Sequence, residues 1–254
     1  MRGLVFSRRV AKELTRDPLS YIFCIAAPIA MMLLFFVIYQ NVPAEAQANM
    51  AIFRPDIIST GIAFFGYSFV MLFGTLLLSK DRATAYLTRL YASPMTPFDF
   101  LLGYFLPLFS VGVIQTVLTF AVSGILGAIA DTPLSIVGCL RATVALLPSL
   151  LFFIACGLLF GALLSEKAAP GVSSVIITLS GIMGGVWMPL DTMPKLKQVF
   201  SVFPFSHAVS LARGAMQGVA DEIGLHLAVT LGYTVVVAAL AVYAMYRSTR
   251  WESR

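Results

Sequence analysis

Apolar residues run along this chain in six blocks of membrane length, and charged positions fall almost entirely between them. A helix needs about 20 apolar residues, each rising 1.5 Å, to cross about 30 Å of hydrocarbon. On that rule the spans are Leu19–Tyr39, Ile57–Leu78, Phe100–Ile129, Ala142–Leu164, Pro170–Met188 and Leu227–Tyr246. The third is overlong, which predicts tilt or extension beyond the bilayer, and Pro107 marks where a break would fall. Ahead of the first span, within residues 1–18, Phe6, Val10 and Leu14 share one helical face. Arg8, Lys12 and Arg16 recur at four-residue spacing on another face, with Arg9 beside them. This pattern predicts a basic interface helix lying on an anionic membrane surface and ended by Asp17-Pro18.

Two connections carry structure of their own. Lys80–Asp99 places Ala83, Tyr86, Leu87, Leu90 and Tyr91 on one stripe, with Arg82 and Arg89 on the other side. Ser93-Pro94 and Thr96-Pro97 then break the helix. A short surface helix is expected there, between spans two and three. In Pro189–His226, Leu196, Val199, Phe200 and Phe203 suit one short amphipathic helix. Ala208, Leu211, Ala212 and Ala215 suit a second, before Gly218. Both are expected at the outer boundary before span six, partly re-entrant, where protein or water satisfies their backbone. Gly181, Gly184 and Gly185 would let backbones pack closely. The expected fold is therefore an all-α membrane protein of six transmembrane helices in a single domain over residues 1–254.

Composition narrows the function. Hydrophobic residues make up 59% of the chain and charged ones 11%, against about 25% charged in soluble domains. Mean hydropathy is +0.91. The net charge of +5 sits at helix ends rather than on one face, so nucleic acid is not an expected partner. With the N-terminus in the cytoplasm, twelve Lys and Arg fall on the cytoplasmic side and five outside. That bias predicts a multi-pass protein of the cell (inner) membrane with both termini cytoplasmic. The first span exceeds a signal-peptide core and is read as uncleaved. Cys24, Cys139 and Cys156 show no paired or metal spacing.

The spans hold essentially no ionisable residue, Gln115 being the main strongly polar one. A proton- or sodium-coupled transporter places an acid or His near the midplane, so energy is expected from elsewhere. No nucleophile elbow, H-E-x-x-H or phosphate-binding loop is present. Catalytic and metal-binding residues are expected to be none, and an enzyme reading rests only on His207 or Asp191. What is left is a pathway former driven by another subunit, or an ATPase-independent channel or assembly factor.

Asp81-Arg82, Leu87-Thr88-Arg89-Leu90 and Ala92-Ser93-Pro94-Met95 are followed by Asp99 and Leu101-Leu102-Gly103, then by Met188-Pro189-Leu190, Met193-Pro194, Phe203-Pro204 and Ala212-Arg213-Gly214. In this order and spacing the chain resembles the membrane subunit of ABC-2 type transporters, the type V exporter class, over nearly its whole length. The family pattern after span two, D/E-R-E-x-G-T-x-E-x-L-x-x-[ST]-P, is altered here at Ala83, Ala85, Tyr86 and Thr88. The resemblance implies a homodimer or heterodimer of membrane subunits with ABC ATPase subunits docked beneath, ATP and Mg²⁺ being held by those partners. It implies that Asp81, Arg82, Leu87, Arg89, Leu90 and Pro94 belong to the element coupling the ATPase, and that Arg8, Arg9, Lys12 and Arg16 belong to the interface helix. Path-lining candidates are Met32, Phe36, Phe65, Phe69 and Gln115. Drugs and other lipophilic molecules, lipid-linked polysaccharides and some peptides are the family's substrates. The Met- and Phe-rich spans one and two lean toward a lipophilic one.

Overall fold

The computed structural model describes residues 2–84, 97–219 and 222–251. Among these, helix α1 is Arg2–Arg16, α2 is Pro18–Asn41 and α3 is Pro55–Ala83. Next come α4, Pro97–Ile129, α5, Ile136–Leu163, and α6, Ala169–Met183. The short α7, Pro194–Phe200, and α8, Pro204–Gln217, precede α9, Ile223–Trp251.

Among the described residues, five helices are long and apolar enough to cross a membrane: α2, α3, α4, α5 and α9. The chain is built around α3. Its most apolar window is 83% buried, against 17% for α2 and for α9, so α3 is the core and those two are the flanks. α3 packs on α5, α4, α6 and α8, and α9 closes over α5 and α8. Lipid tails are as apolar as leucine, so close backbone approach rather than the hydrophobic effect joins such helices. Gly157 and Gly161 of α5 supply it: a Cβ on Gly157 would stand 2.7 Å from the Met71 carbonyl oxygen, and one on Gly161 2.7 Å from Leu78 Cβ.

Polar contacts pin α3 to α4. Tyr67 Oη and Thr116 Oγ1 lie 2.6 Å apart, and Ser123 Oγ donates to the Pro55 carbonyl at 2.7 Å. Gln115 folds its amide onto Gly66, where an added Cβ would force that amide to move, and donates to Thr119 Oγ1 at 3.2 Å.

Several expected boundaries move. Span two runs on to Ala83, so Lys80, Asp81 and Arg82 end a spanning helix instead of opening a separate surface helix. Leu87, Arg89, Leu90 and Pro94 lie outside the described residues. Span three is one helix through Pro107. Span four begins at Ile136, which takes Arg141 from a connection into a helix. Span one contains a π-helical turn, Ile22–Ala26, just before Pro28; a proline has no N–H for the fourth residue back, and the wider turn absorbs the mismatch.

The expected fifth span, Pro170–Met188, is a helix of 15 residues, about 22 Å and too short to cross alone. Its end is a Schellman motif. Gly185 takes φ +60°, its N–H reaches the Ile182 carbonyl at 3.1 Å, and the Val186 N–H reaches Gly181 at 3.3 Å. The chain then returns through α7 and α8. α8 is buried against α5, α9 and α3, with Phe205 among Phe64, Phe152 and Phe153. Tyr233, about 15 Å along α9, donates to the Val202 carbonyl at 2.8 Å, so the α7–α8 hairpin reaches well below the start of α9.

Gly157→Ala is expected to lower stability by about 1–3 kcal/mol, because the contact it makes is with backbone. Gly171→Ala meets nothing within 4 Å and serves as the neutral control. Thermal unfolding in detergent measures both.

Candidate functional site

The site is assembled where α1 meets the last turn of α3 and the first turns of α4. α1 forms because its apolar residues recur on one stripe, and Phe6, Val10 and Leu14 are all buried. The stripe does not lie on lipid as expected; it lies on protein. Phe6 meets Phe100 and Tyr104 edge-on, with ring centroids 5.7 and 5.1 Å apart. Gly103 provides the room, since any Cβ there would overlap the Phe6 ring.

Asp81 is at the centre. The residue is 4% exposed, and its carboxylate accepts hydrogen bonds from Arg9 Nη1 at 3.0 Å, Arg9 Nη2 at 3.1 Å and Tyr104 Oη at 2.6 Å. A carboxylate withdrawn from water is stable only when paired and hydrogen-bonded, and a two-pronged guanidinium contact with a hydroxyl meets that need. Arg9 also pairs with Glu13 at 3.1 Å, and Glu13 with Lys80 at 3.2 Å. The Gly3 N–H donates to Asp99 Oδ1 at 3.1 Å. Arg82, one residue on and about 100° around the helix, turns to α5. There its Nη1 donates to the carbonyls of Gly161 and Leu164 at 3.1 and 3.4 Å, acceptors that a helix end leaves open.

Thus Asp81 and Arg82 are committed within the chain. Arg8, Lys12 and Arg16 remain exposed on the outer side of α1, where they and Lys80 border an open basic groove of about 840 Å³. Arg9 is shared between the groove and the buried carboxylate. The groove adjoins the end of α3, from which residues 85–96 continue.

The path-lining candidates divide. Phe65 and Phe69 come together, centroids 5.4 Å apart, with Trp187 packed on Phe65 at 4.8 Å and Phe23 beside Phe69 at 5.8 Å. Met32 is fully buried, and Phe36 is half-buried against the core. Gln115 lies apart from these aromatics, in the α3–α4 seam, and its carbonyl oxygen has no partner among the described residues. Sequence reasoning missed the role of Trp187 because it took the residue into the apolar run of the expected fifth span, Pro170–Met188; only its place after the Gly184-Gly185 turn signals a return into the bundle.

At the opposite end, Ser206 does not address His207; its hydroxyl donates to the Phe200 carbonyl at 3.2 Å. His207 meets His226 instead, Nδ1 to Nδ1 at 2.7 Å, while His207 Nε2 lies 2.9 Å from the Ser201 carbonyl oxygen. A carbonyl only accepts, so Nε2 carries hydrogen, and Nδ1 of neutral His207 then accepts from His226 Nδ1–H. The pair ties α8 to α9. No group of three metal-binding side chains occurs among the described residues.

A multi-pass helical membrane protein with a buried ion-pair joint at one end, a helical hairpin at the other and, among the described residues, no internal ionisable pathway is the class these features define. A family model described as ABC-2 family transporter protein matches residues 46–243. The chain belongs to that family, whose permeases are membrane transport subunits, not themselves enzymes, and normally work with an ABC ATPase. No curated protein matches it. α1 and α2 both precede the matched stretch.

Tyr104→Phe is expected to cost about 1.5–3 kcal/mol, the range for a hydrogen bond to a charged group, read from thermal unfolding in detergent. His226→Phe leaves His207 Nδ1 without its donor and is expected to cost about 1–2 kcal/mol. A smaller loss in His226→Asn, which retains a donor, would separate the hydrogen bond from packing.

Proposed function

We propose that this chain is the membrane subunit of an ATP-driven exporter that moves a lipophilic, drug-like molecule out of the cytoplasm or inner leaflet. ATP and Mg²⁺ belong to a separate ATPase subunit, and the membrane subunits work as a pair. The observation that carries this reading is the joint at Asp81. Through it α1, α3 and α4 are fastened together next to residues 85–96, so a push on that segment reaches a helix that contacts most of the bundle. A bistable membrane element biased from one end is what a coupling device requires.

The basic groove along α1 suits an acidic partner surface, and Leu87, Arg89, Leu90 and Pro94 are assigned to the contact with it. Both termini are then cytoplasmic, in keeping with the excess of Lys and Arg on that side. The aromatic cluster of Phe65, Phe69 and Trp187 favours a lipophilic substrate over a lipid-linked glycan.

Purified in mild detergent from its host, the tagged chain is expected to carry an ATPase subunit. Replacing Arg89 and Leu90 by Ala is expected to remove that subunit while leaving the unfolding temperature of the membrane chain unchanged. Stimulation of hydrolysis by lipophilic compounds supports the proposed substrate class, and stimulation only by a lipid-linked glycan overturns it. Absence of any ATPase under conditions that keep other membrane complexes intact overturns the exporter reading in favour of a channel or assembly role.

A further inference from the structure

The first turns of α5, the C-terminal end of α8 and the first turns of α9 enclose a groove of about 560 Å³ at the bundle end opposite α1. Its size is that of small-molecule sites, about 300–1,000 Å³. The walls are apolar, with Leu140, Val144, Leu211, Ala215, Ile223 and Leu227 among them, and the one ionisable residue in the lining is Arg141.

Three features distinguish Arg141 from an ordinary helix-end arginine. It lies in the second turn of a 28-residue helix, about 42 Å long against about 30 Å of hydrocarbon, which sets its Cα near the boundary between acyl chains and headgroups. Its guanidinium stands over Gly218, 3.1 Å from where a Cβ would be, so the left-handed glycine that ends α8, at φ +76°, also leaves space for it. Finally, its only protein hydrogen bond among the described residues runs from Nε to the Val137 carbonyl at 3.4 Å, and no described carboxylate pairs with it. The other Arg and Lys in described salt bridges have their acids: Arg9 with Asp81 and Glu13, Arg54 with Asp56, and Lys80 with Glu13. The Arg141 Nη groups thus offer a planar fork suited to phosphate, above an apolar slot that opens sideways. Leu140 and Val144 are 63% and 65% exposed, on a surface that faces lipid in a multi-pass membrane protein.

We propose that this groove is a binding site for an anionic phospholipid of the leaflet at the α8 end, its phosphate held by Arg141 and one acyl chain lying along Leu140, Val144 and Leu227. A bound lipid there bridges α5, α8 and α9, and so steadies the hairpin that the His207–His226 contact also holds. The site is independent of any ATPase.

Native mass spectrometry of the full chain, released from nanodiscs of phosphatidylcholine with increasing phosphatidylglycerol, tests it. The wild type is expected to retain one phosphatidylglycerol in preference to phosphatidylcholine. Arg141→Gln is expected to lose that preference by about five- to tenfold, the scale of one basic residue at a membrane surface. Arg54→Gln, the same loss of charge at a residue already paired with Asp56, is expected to leave it unchanged. Val144→Trp, which fills the slot from its open side, is expected to lower retention of the lipid with Arg141 intact. Equal retention by wild type and Arg141→Gln overturns the proposal. Equal losses in Arg141→Gln and Arg54→Gln overturn it in favour of diffuse charge attraction. Displacement of the lipid by millimolar glycerol 3-phosphate would show a headgroup site that makes no use of the slot, and overturns the assignment to a lipid.

Discussion

A single carboxylate withdrawn from water sets the terms for one whole end of this molecule. Asp81 terminates the most enclosed helix of the bundle, and burying it demands permanent partners. The partners come from elements distant in sequence, Arg9 of α1 and Tyr104 of α4. Arg82 extends the attachment in another direction, to the open carbonyls of α5. Adjacent residues of opposite charge therefore hold the end of α3 between its neighbours. The ring contacts of Phe6 with Phe100 and Tyr104 act together with the ion pair, since both fix the same face of α1 on the same turns of α4.

The opposite end is held by other means. Arg213 Nη2 donates to the carbonyls of Gly185 and Val186 at 2.9 and 3.2 Å, bracing the turn that stops α6. The His207–His226 pair and the Tyr233–Val202 bond tie the hairpin to α9. Here the acceptors are neutral carbonyls and a ring nitrogen, with no buried carboxylate among the described contacts.

Much of this was legible in the sequence. Spanning helices announce themselves through apolar length, and α1 through its stripe of Phe6, Val10 and Leu14. Sequence alone did not show what α1 lies against, because an amphipathic face is equally satisfied by lipid or by Phe100 and Tyr104. The end of α3 was misplaced for a related reason. Lys80, Asp81 and Arg82 read as surface residues until a buried acceptor and distant donors are seen to satisfy them. α6 was drawn too long because Val186, Trp187 and Met188 continue its apolar run; the stop lies in the positive φ of Gly185, which apolar counting does not register. The His pair joins residues 19 apart across a turn, a relation that no periodicity carries.

The enclosure of α3 also limits how the gene can change. Gly66, matched to Gln115, and Asp81, matched to Arg9 and Tyr104, are separated by about four helical turns on one rigid rod. Adding or removing one residue between them would rotate everything beyond by about 100° and shift it by about 1.5 Å, carrying the carboxylate away from both donors. Substitutions of like volume can accumulate along this helix, but insertions and deletions there are closed to it. Length variation among descendants of this chain should collect in the connections between the long helices, around Gln40–Arg54 and Ala130–Ser135.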